Sequence, residues 1–558
     1  MNQNSHTIDH SDPLIADVAA NKTGLRHVMV RLRVGLAAVF GLLVLALVVF
    51  IYGSDLDRVP PHLAHDEVMI EVNARNIAKT GSDVDGKVVP TLFGDSAFGM
   101  PGGEPLTIYW TAFVIKTLWQ DEFAIRRASV LIGLLNLALM FVVARQYFDS
   151  PAAGTIAAVL LAITPVHFFY SRIGVEVVYL LPFVLGWLLL LTVDGELITR
   201  TRVWPIAAAG FVLGLSLYAY KSALILAPTY IGVTVVLVAW RAFAAGLPAR
   251  RIALIVAAAF GGFALAVTPY AIDVMRHADR IARFSRAYRV ADPKLTFLQN
   301  LHDFFRYQSI GNRLGIYFDS FNPVHLFFFG AGGWTDSTRQ AGLFVVGVAI
   351  PIAVGIYVSL GPARSFSRSI VVAGFLLAPV SNVVLNEVTL RRMIPMAVFG
   401  VLLATEGWRF INARWRMGSV IAATLAMVTV VHFNSYYQDY LVNYPLNSYG
   451  AWELNIGEAL QRLAERHEQR GGNERPLIFV RNQFLNDYAR LYLPESDLIQ
   501  RADHRWLSRG LPKTTENARL VLRQLLFDED VSDACPSWRV SAIVREPHGA
   551  PSFVICER

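Results

Sequence analysis

Long runs of apolar residues, separated by short polar loops, dominate the pattern of this sequence. Each run is about 20 residues long, which is the length that an α-helix needs to cross ~30 Å of hydrocarbon while satisfying its own backbone groups. We count about eleven such runs along the 558 residues. They lie at 34–53, 128–147, 152–170, 177–193, 204–221, 223–240, 252–271, 341–360, 370–386, 393–410 and 418–433. The pattern predicts an all-α polytopic membrane protein.

Longer polar stretches divide the chain into regions. A polar tail, 1–33, precedes a transmembrane domain, 34–433, and the first run therefore stays as an anchor rather than a cleavable signal. Two long loops, 54–127 and 272–340, interrupt this domain. The remaining segment, 434–558, differs in composition and predicts a separate small domain.

The last segment combines helical and strand periodicities. Trp452 to His467 has the spacing of a helix, Pro476 to Val480 that of a strand, and Val540 to Val544 can pair with Ser552 to Cys556 as a hairpin. We therefore expect a small C-terminal α/β domain.

Both long loops contain amphipathic stretches that are too short or too polar to span. Glu67 to Lys79 and Leu106 to Trp119 are expected to be helices in the membrane interface. The second loop begins with arginines at helical spacing, namely Arg276, Arg280, Arg283 and Arg286. This pattern is typical of a basic helix on lipid headgroups, and a mobile lid over a site is the functional alternative.

Composition and charge narrow the class of protein. Hydrophobic residues make up 54% of the chain and charged residues only 17%, with a mean hydropathy of +0.42, which excludes an ordinary soluble protein. The net charge of +7 comes in good part from basic residues in loops beside the apolar runs, where anionic lipid headgroups are the natural partner. We therefore expect membrane lipids, and no nucleic acid, as partners.

Basic residues also predict the orientation, because they accumulate in cytoplasmic loops. The tail before the first run and alternate short loops after it are rich in arginine, so the N-terminus is expected in the cytoplasm and the C-terminus outside. The two cysteines, Cys535 and Cys556, then lie in an oxidising compartment and flank the candidate hairpin. The sequence predicts a disulfide between them.

Candidate chemistry is sparse, since no nucleotide-sugar fingerprint, phosphate-binding loop, zinc-protease motif or nucleophile elbow is present. The glycine-rich stretch from Gly330 to Gly333 follows no strand, and we interpret it as a turn.

Asp66 and Glu67 follow the first run and open a helix, whose dipole favours carboxylates. Such a pair is either simply solvated or catalytic. Three adjacent residues including His65 are too few for a metal site, because their side chains diverge.

Several basic residues oppose the charge bias of the outer loops. They are Arg172, Lys221, Arg391 and Arg392, and acids lie near them at Glu176 and Glu387. Each basic side chain either reaches lipid headgroups or pairs with an acid, or together they form an anion pocket for a phosphate.

The combination of these residues resembles the GT-C superfamily of membrane glycosyltransferases, and within it the protein O-mannosyltransferases, aminoarabinose transferases and related bacterial family 39 enzymes. The resemblance covers roughly residues 34–410. Its motifs are His65-Asp66-Glu67, Thr80-Gly81, Pro105-Leu106, Tyr109-Trp110, Phe123 to Ser129, Ser171-Arg172 and Arg391 to Pro395. Glu104 departs from the family, because many relatives carry a basic residue there, and donor or acceptor preference therefore stays open.

The resemblance implies an enzyme with a polyprenyl-phosphate sugar as donor and a hydroxyl of a lipid, glycan or protein as acceptor. It implies inverting transfer at the outer face of a bacterial cytoplasmic membrane, with Asp66 as base, Glu67 as helper and Glu176 as a second acid. Arg172, Lys221, Arg391 and Arg392 would bind the donor phosphate. No cofactor is expected, although some relatives use a divalent metal. A flippase for a lipid-linked sugar and a non-catalytic membrane scaffold are the rival functions.

Overall fold

The computed structural model describes residues 41–91, 104–192, 203–276, 295–361, 365–471, 475–482, 484–493, 503–505, 518–526 and 529–558, together with 39, 93 and 498. Residues 1–54 form a unit of their own, in which helix α1 (Gly41–Gly53) is described. Most of its apolar side chains are exposed, as is expected of a helix that faces lipid. The predicted tail, 1–33, lies outside the described residues.

Helices α2 (His65–Thr80) and α3 (Pro105–Thr117) form where the two amphipathic stretches of the first loop were predicted. Two carboxylates occupy the first turn of α2, where the helix dipole favours them. The helix ends at Gly81, whose φ of 81° lies in the left-handed region that terminates many helices. Pro105 begins α3 at a position where its missing N–H costs nothing.

Apolar helices follow in the order expected from the hydrophobic runs. They are α4 (Ala124–Phe148), α5 (Pro151–Ala162), α6 (Pro165–Ser171), α7 (Leu181–Thr192, after a 3₁₀ turn Glu176–Leu180), α8 (Trp204–Leu215), α9 (Ala223–Ala244), α10 (Ala249–Arg276), α13 (Ala349–Leu360), α14 (Phe366–Leu377), α15 (Val380–Leu385), α16 (Pro395–Arg414) and α17 (Gly418–Ser448). Each predicted run falls on one of these helices, on a pair of them, or on α1.

Among the described residues, five helical segments are long and apolar enough to cross a membrane, and a sixth is obtained if α5 and α6, bent by 66°, form one span. Four shorter apolar helices lie at Gly41–Gly53, Glu176–Thr192, Trp204–Tyr218 and Val346–Leu360. The expected count of eleven also includes α16, whose apolar sequence is interrupted by Glu406 and Arg409. The expected all-α polytopic architecture is confirmed, while the number of spans stays a prediction.

Small residues let the apolar helices approach closely. A Cβ at Gly262 of α10 would overlap the carbonyl of Ala207 on α8, and a Cβ at Gly407 of α16 would overlap that of Pro351 on α13. Helices in a membrane associate through such close packing, because lipid tails are as apolar as the side chains and the hydrophobic effect does not drive the helices together. Helix α16 is almost entirely buried, and its Glu406 pairs with Arg368 at 2.6 Å.

The second loop contains α11 (Phe297–Phe304) and α12 (Tyr307–Asp319), followed by a π-helical turn (Val324–Phe328). Helix α11 begins with a capping box, in which Thr296 and Gln299 satisfy each other's backbone N–H groups. Of the four arginines at helical spacing, Arg276 ends α10. Arg280, Arg283 and Arg286 lie outside the described residues, and whether they form a headgroup-binding helix or a lid stays a prediction.

Helix α17 continues to Ser448, so the domain boundary predicted at 434 falls within a helix. Beyond it lie α18 (Ile456–Gln469), α19 (Leu485–Tyr492), α20 (Val531–Ala534) and strands β1 (Leu477–Phe479), β2 (Asp503–Arg505), β3 (Leu520–Gln524), β4 (Arg539–Arg545) and β5 (Pro551–Glu557). The sheet order is β2-β1-β3-β5-β4, with β1 parallel to both neighbours and β5 antiparallel to both of its own. The expected small α/β domain is confirmed.

The predicted hairpin is present as β4 and β5, with Val540 opposite Cys556 and Val544 opposite Phe553. Cys535 and Cys556 form a disulfide in the structure, with Cα atoms 5.7 Å apart. The bond ties the end of the short helix α20 to strand β5 of the sheet, within a small buried hydrophobic cluster.

One hydrophobic core joins the C-terminal domain to the first long loop. Buried side chains of α2 and α3, such as Val68, Ile70 and Ile108, belong to the same cluster as Leu460 of α18 and Ile555 of β5. Helix α19 packs directly against α2. The first loop and the C-terminal domain therefore form a single layer over the membrane helices rather than two independent units.

Candidate functional site

A cavity of about 480 Å³ lies where the start of α2 meets the ends of several membrane helices and the beginning of the C-terminal domain. Five of the residues singled out in the sequence line it: Asp66, Glu176, Lys221, Arg391 and Arg392. They come from four segments that are far apart in the chain, and folding brings them around one space. This convergence of charged groups in a cleft is the usual mark of a binding or active site.

Asp66 lies in the first turn of α2 with its side chain 66% exposed. Its carboxylate is 3.8 Å from Nδ1 of His65, and the His65 ring is fixed by stacking on Phe484 and by a 3.2 Å contact from Nε2 to Asp487. The carboxylate of Asp66 is thus held at the rim of the cavity and remains accessible to a ligand.

Glu67 points away from the cavity into the protein. Its carboxylate accepts hydrogen bonds from Nε and Nη2 of Arg126 at 2.9 and 3.0 Å, and from the backbone N–H groups of Gly174 and Ala64 at 2.8 and 2.9 Å. Both side chains of the pair are fully buried. The structure places Glu67 outside the cavity, so its expected catalytic role stays a prediction that the geometry does not support: neighbouring helix positions point about 100° apart, and Glu67 joins α2 to α4 and to the loop after α6.

Arg172 is also placed away from the cavity. Its guanidinium lies between the rings of Phe168 and Tyr440, 5.4 and 5.3 Å from their centroids, and its Nε donates to the Tyr440 hydroxyl at 3.3 Å. The side chain is fully buried. Cation–π contacts with α6 and α17 thus hold Arg172 inside the bundle, and its expected role in binding a donor phosphate stays a prediction that this placement does not support.

The three remaining cations each lie near an acid at the cavity. Lys221 is 3.8 Å from Glu176, Arg391 is 3.4 Å from Asp336, and Arg392 is 2.8 Å from Glu387. The Arg391 side chain is still 40% exposed. Burial lowers the pKa of Arg391, but Asp336, Tyr170, Tyr220 and Asp66 outweigh this effect and raise it, so the guanidinium stays charged.

Asp336 is a buried acid that pairs with a cation of the cavity and that the sequence did not single out. It accepts a hydrogen bond from the Tyr170 hydroxyl at 3.0 Å and orients Arg391. The turn predicted at Gly330 to Gly333 explains its position, since Gly332 has a φ of 94° and a Cβ there would overlap the Asp336 carboxylate. A glycine-rich turn followed by an acid was the available signal.

The C-terminal domain supplies a wall that sequence reasoning also missed. Trp452, Glu453 and Phe484 line the cavity opposite the membrane helices. Nothing in the local sequence marks these residues, because their position follows from the shared core of the C-terminal domain and α2.

Glu104, the residue at which the family motif is interrupted, is buried at the start of α3. The pKa of Glu104 is raised to about 7. Burial is the main cause, Lys221 opposes it, and the Glu176 carboxylate adds to it. Glu104 is therefore an electrostatic neighbour of the Lys221 and Glu176 pair, and its protonation state near neutrality changes the field at that end of the cavity.

Comparisons with known proteins bear on this arrangement. Residues 102–276 match the family described as dolichyl-phosphate-mannose-protein mannosyltransferase. No curated protein sequence matches the chain significantly.

Solved structures with a similar fold include ArnT from Cupriavidus metallidurans bound to undecaprenyl phosphate. It matches with a TM-score of 0.54 and 14% identity, over 93% of this chain and 98% of that one. An Archaeoglobus fulgidus oligosaccharyltransferase, tethered to an acceptor peptide containing the NVT sequon, matches with a TM-score of 0.50 and 13% identity, over 92% of this chain and 74% of that one. At these identities the matches concern the fold.

Proposed function

We propose that the chain is a membrane glycosyltransferase of the GT-C class, which moves one sugar from a polyprenyl-phosphate donor to an acceptor hydroxyl with inversion. The observation that carries this proposal is the single cavity in which the accessible carboxylate of Asp66 faces the cations Lys221, Arg391 and Arg392. A base and an anion pocket are the two parts that such a displacement needs.

In the proposed step, Asp66 takes the proton of the acceptor hydroxyl as its oxygen attacks the anomeric carbon. The bond between that carbon and the phosphate oxygen breaks, and its electron pair leaves with the phosphate. Arg391 and Lys221 stabilise the charge of the departing phosphate, Asp336 and Glu176 hold these two cations in place, and Arg392 adds positive charge nearby.

The lipid carrier of the donor is inferred from the surroundings of the cavity. The cations come from the ends of apolar helices, beside which a long polyprenyl tail can lie in the bilayer. ArnT, whose fold is similar, binds undecaprenyl phosphate, which supports a carrier of this class here. Whether the sugar is a hexose or a pentose is left open by these groups.

We further propose that the protein lies in the bacterial cytoplasmic membrane with its N-terminus inside and its C-terminus outside. The arginine-rich loops and the Cys535–Cys556 disulfide support this orientation, because disulfides persist in oxidising compartments. Alkaline phosphatase fused after Arg558 should be active, and a cytoplasmic fluorescent reporter at the same place should be dark. The reverse pattern would overturn the orientation.

Turnover is proposed to need no metal. Within the described ranges, no three His, Cys, Asp or Glu side chains are grouped so as to hold an ion. Purified protein should keep its rate in EDTA, and a rate restored only by added Mn²⁺ or Mg²⁺ would contradict this part of the proposal.

The deciding experiment compares Asp66→Asn with Asp57→Asn, an exposed carboxylate in the same loop, in full-length protein reconstituted in lipid. Asp66→Asn keeps the shape but lacks the base, so kcat should fall at least ~100-fold while undecaprenyl phosphate binds as before. Asp57→Asn should behave as the unmodified protein. Near-normal turnover by folded Asp66→Asn would refute the site, and liposomes in which donor crosses the bilayer without being consumed would instead identify a flippase.

A further inference from the structure

Glu453 of the C-terminal domain lines the cavity and has an unusual backbone conformation. Glu453 and the next residue, Leu454, have φ values of 63° and 57°, so two consecutive residues with side chains adopt the left-handed conformation. Non-glycine residues are strained there, and such strain persists only where the surroundings impose it. Its occurrence at a cavity wall identifies Glu453 as a residue whose exact placement matters.

The turn before Glu453 is anchored to the membrane helices. Trp452 is buried, and its Nε1 donates to the Tyr444 hydroxyl of α17 at 3.1 Å. The Tyr444 hydroxyl in turn donates to the carbonyl of Trp334, in the loop that also carries Asp336. Leu454 packs against the core shared with α2. The backbone at Glu453 is therefore held from both sides.

The side chain of Glu453 is fixed as well. One of its carboxylate oxygens accepts a hydrogen bond from Nδ2 of Asn482 at 3.1 Å, and the side chain lines the same cavity as Asp66. Burial raises the pKa of Glu453, His65 lowers it, and Asp66 raises it. Glu453 and the proposed base, Asp66, thus line one cavity, and the negative charge of Asp66 favours the neutral form of Glu453.

Contacts tie the C-terminal wall of the cavity to the start of α2. The Tyr488 hydroxyl of α19 donates to the carbonyl of Leu63 at 2.9 Å, just before α2 begins, and His65 stacks on Phe484 with ring centroids 3.3 Å apart. Together with the shared core, these contacts join the C-terminal domain to the beginning of α2, the helix that carries Asp66.

The cavity is lined by two chemically different kinds of group. The cations Lys221 and Arg391 suit the phosphate of the donor, whereas the carboxylates of Asp66 and Glu453 suit hydroxyl groups of the acceptor. A carboxylate accepts hydrogen bonds from hydroxyl groups but repels a phosphate. An acceptor with a single hydroxyl would occupy Asp66 and leave Glu453 unused.

We propose that Glu453 is an acceptor-positioning residue, which accepts a hydrogen bond from a second hydroxyl beside the one that Asp66 deprotonates, and that the acceptor is therefore a saccharide attacked at a hydroxyl. The inference rests on the proposed function and deepens it. In this proposal the C-terminal domain determines which acceptor is used. It disfavours acceptors whose reacting group is a phosphate or the lone hydroxyl of a peptide side chain.

The test uses full-length protein in a deletion strain, complemented with the unmodified gene, Glu453→Gln, Glu453→Asn or Asp66→Asn. Glu453→Gln keeps the size and the contact with Asn482, and Glu453→Asn suits the left-handed backbone. Glu465→Gln, an exposed acid on α18 of the same domain, is the matched control. Mass spectrometry measures the sugar added to cell-envelope acceptors and the lipid-linked donor left over.

Both Glu453 variants should lower the product about 10- to 100-fold, the effect of losing one hydrogen bond to a charged group, and the donor should accumulate. Glu465→Gln should match the unmodified protein. Purified Glu453→Gln should bind undecaprenyl phosphate within about twofold of the unmodified protein, which a collapsed cavity would not do. The added sugar should be linked to a saccharide by a glycosidic bond that resists mild acid.

A product released by mild acid, as a glycosyl phosphate is, or a product attached to a peptide would overturn the inference. So would normal product levels in both Glu453 variants, or a loss of undecaprenyl phosphate binding in both. If the unmodified gene adds no sugar that Asp66→Asn lacks, the proposed function itself fails, and the inference falls with it. The two failures are thus distinguishable.

Discussion

Neutralising Asp66 and neutralising its neighbour Glu67 should have opposite effects, one on turnover and the other on stability. Glu67→Gln changes one charge and almost no volume, in a pair with Arg126 whose side chains are both fully buried. We expect this change to destabilise the protein while leaving the turnover of each folded molecule nearly intact. Asp66→Asn, one position earlier, should do the reverse.

The size of the effect follows from the contacts of Arg126. Removing one partner of a buried ion pair leaves an uncompensated charge and costs about 3–5 kcal/mol. Arg126 keeps three other acceptors, the carbonyls of Leu56, Pro60 and His62, at 2.6 to 2.8 Å. These soften the loss, so the lower end, about 3 kcal/mol, is expected.

The assay is thermal unfolding of both variants in the same lipid nanodiscs, followed by turnover per molecule that binds undecaprenyl phosphate. Glu67→Gln should melt well below the unmodified protein, whereas Asp66→Asn should melt at the same temperature as the unmodified protein. If Glu67→Gln melts normally but loses kcat ~100-fold, Glu67 acts in the chemistry and the structural assignment made above is wrong.

Three further changes test other parts of the structure. Arg391→Ala should weaken binding of undecaprenyl phosphate at least ~10-fold and lower turnover too, since a partly desolvated charge pair is lost; unchanged affinity in a titration would remove Arg391 from the phosphate site. Burial raises the pKa of Glu71 to about 8, against the opposing effect of Arg75. A raised pKa means that the stability from neutral Glu71 is complete below about pH 4.5 and is lost as the pH rises through 8. Glu71→Gln should therefore melt like the unmodified protein at pH 5 and above it at pH 9, and equal melting at both would refute the shift. Cys535→Ser opens a cross-link with a sequence separation of 21, worth ~3 kcal/mol, so limited proteolysis should cut the C-terminal domain first; unchanged protease resistance would show that packing alone holds it.

Much of the fold follows from local pattern. Apolar runs of the right length become helices because the backbone N–H and C=O groups of a chain in lipid must hydrogen-bond to each other. Period-two alternation with a turn at Pro547 to Gly549 becomes the hairpin β4–β5. The pairing of Cys535 with Cys556 follows from their positions beside that hairpin. Asp66 was identified by its place at the start of a helix next to the membrane, and the structure puts it at the cavity.

The division of labour among the charged residues was decided only by tertiary structure. The sequence places Glu67 beside Asp66 and Arg172 at a helix end, but side chains on adjacent helix positions diverge. The partner of Glu67 is Arg126 of α4, and Arg172 lies between the Phe168 ring, one turn earlier, and the Tyr440 ring of the distant α17. Asp336 is brought to Arg391 by a glycine turn, and Glu453 reaches the cavity through a core that joins α2 to the C-terminal domain. Periodicity records which face of an element is apolar, whereas the identity of the partner across a core depends on how all the elements pack, and so the walls of the cavity could be seen only in the folded chain.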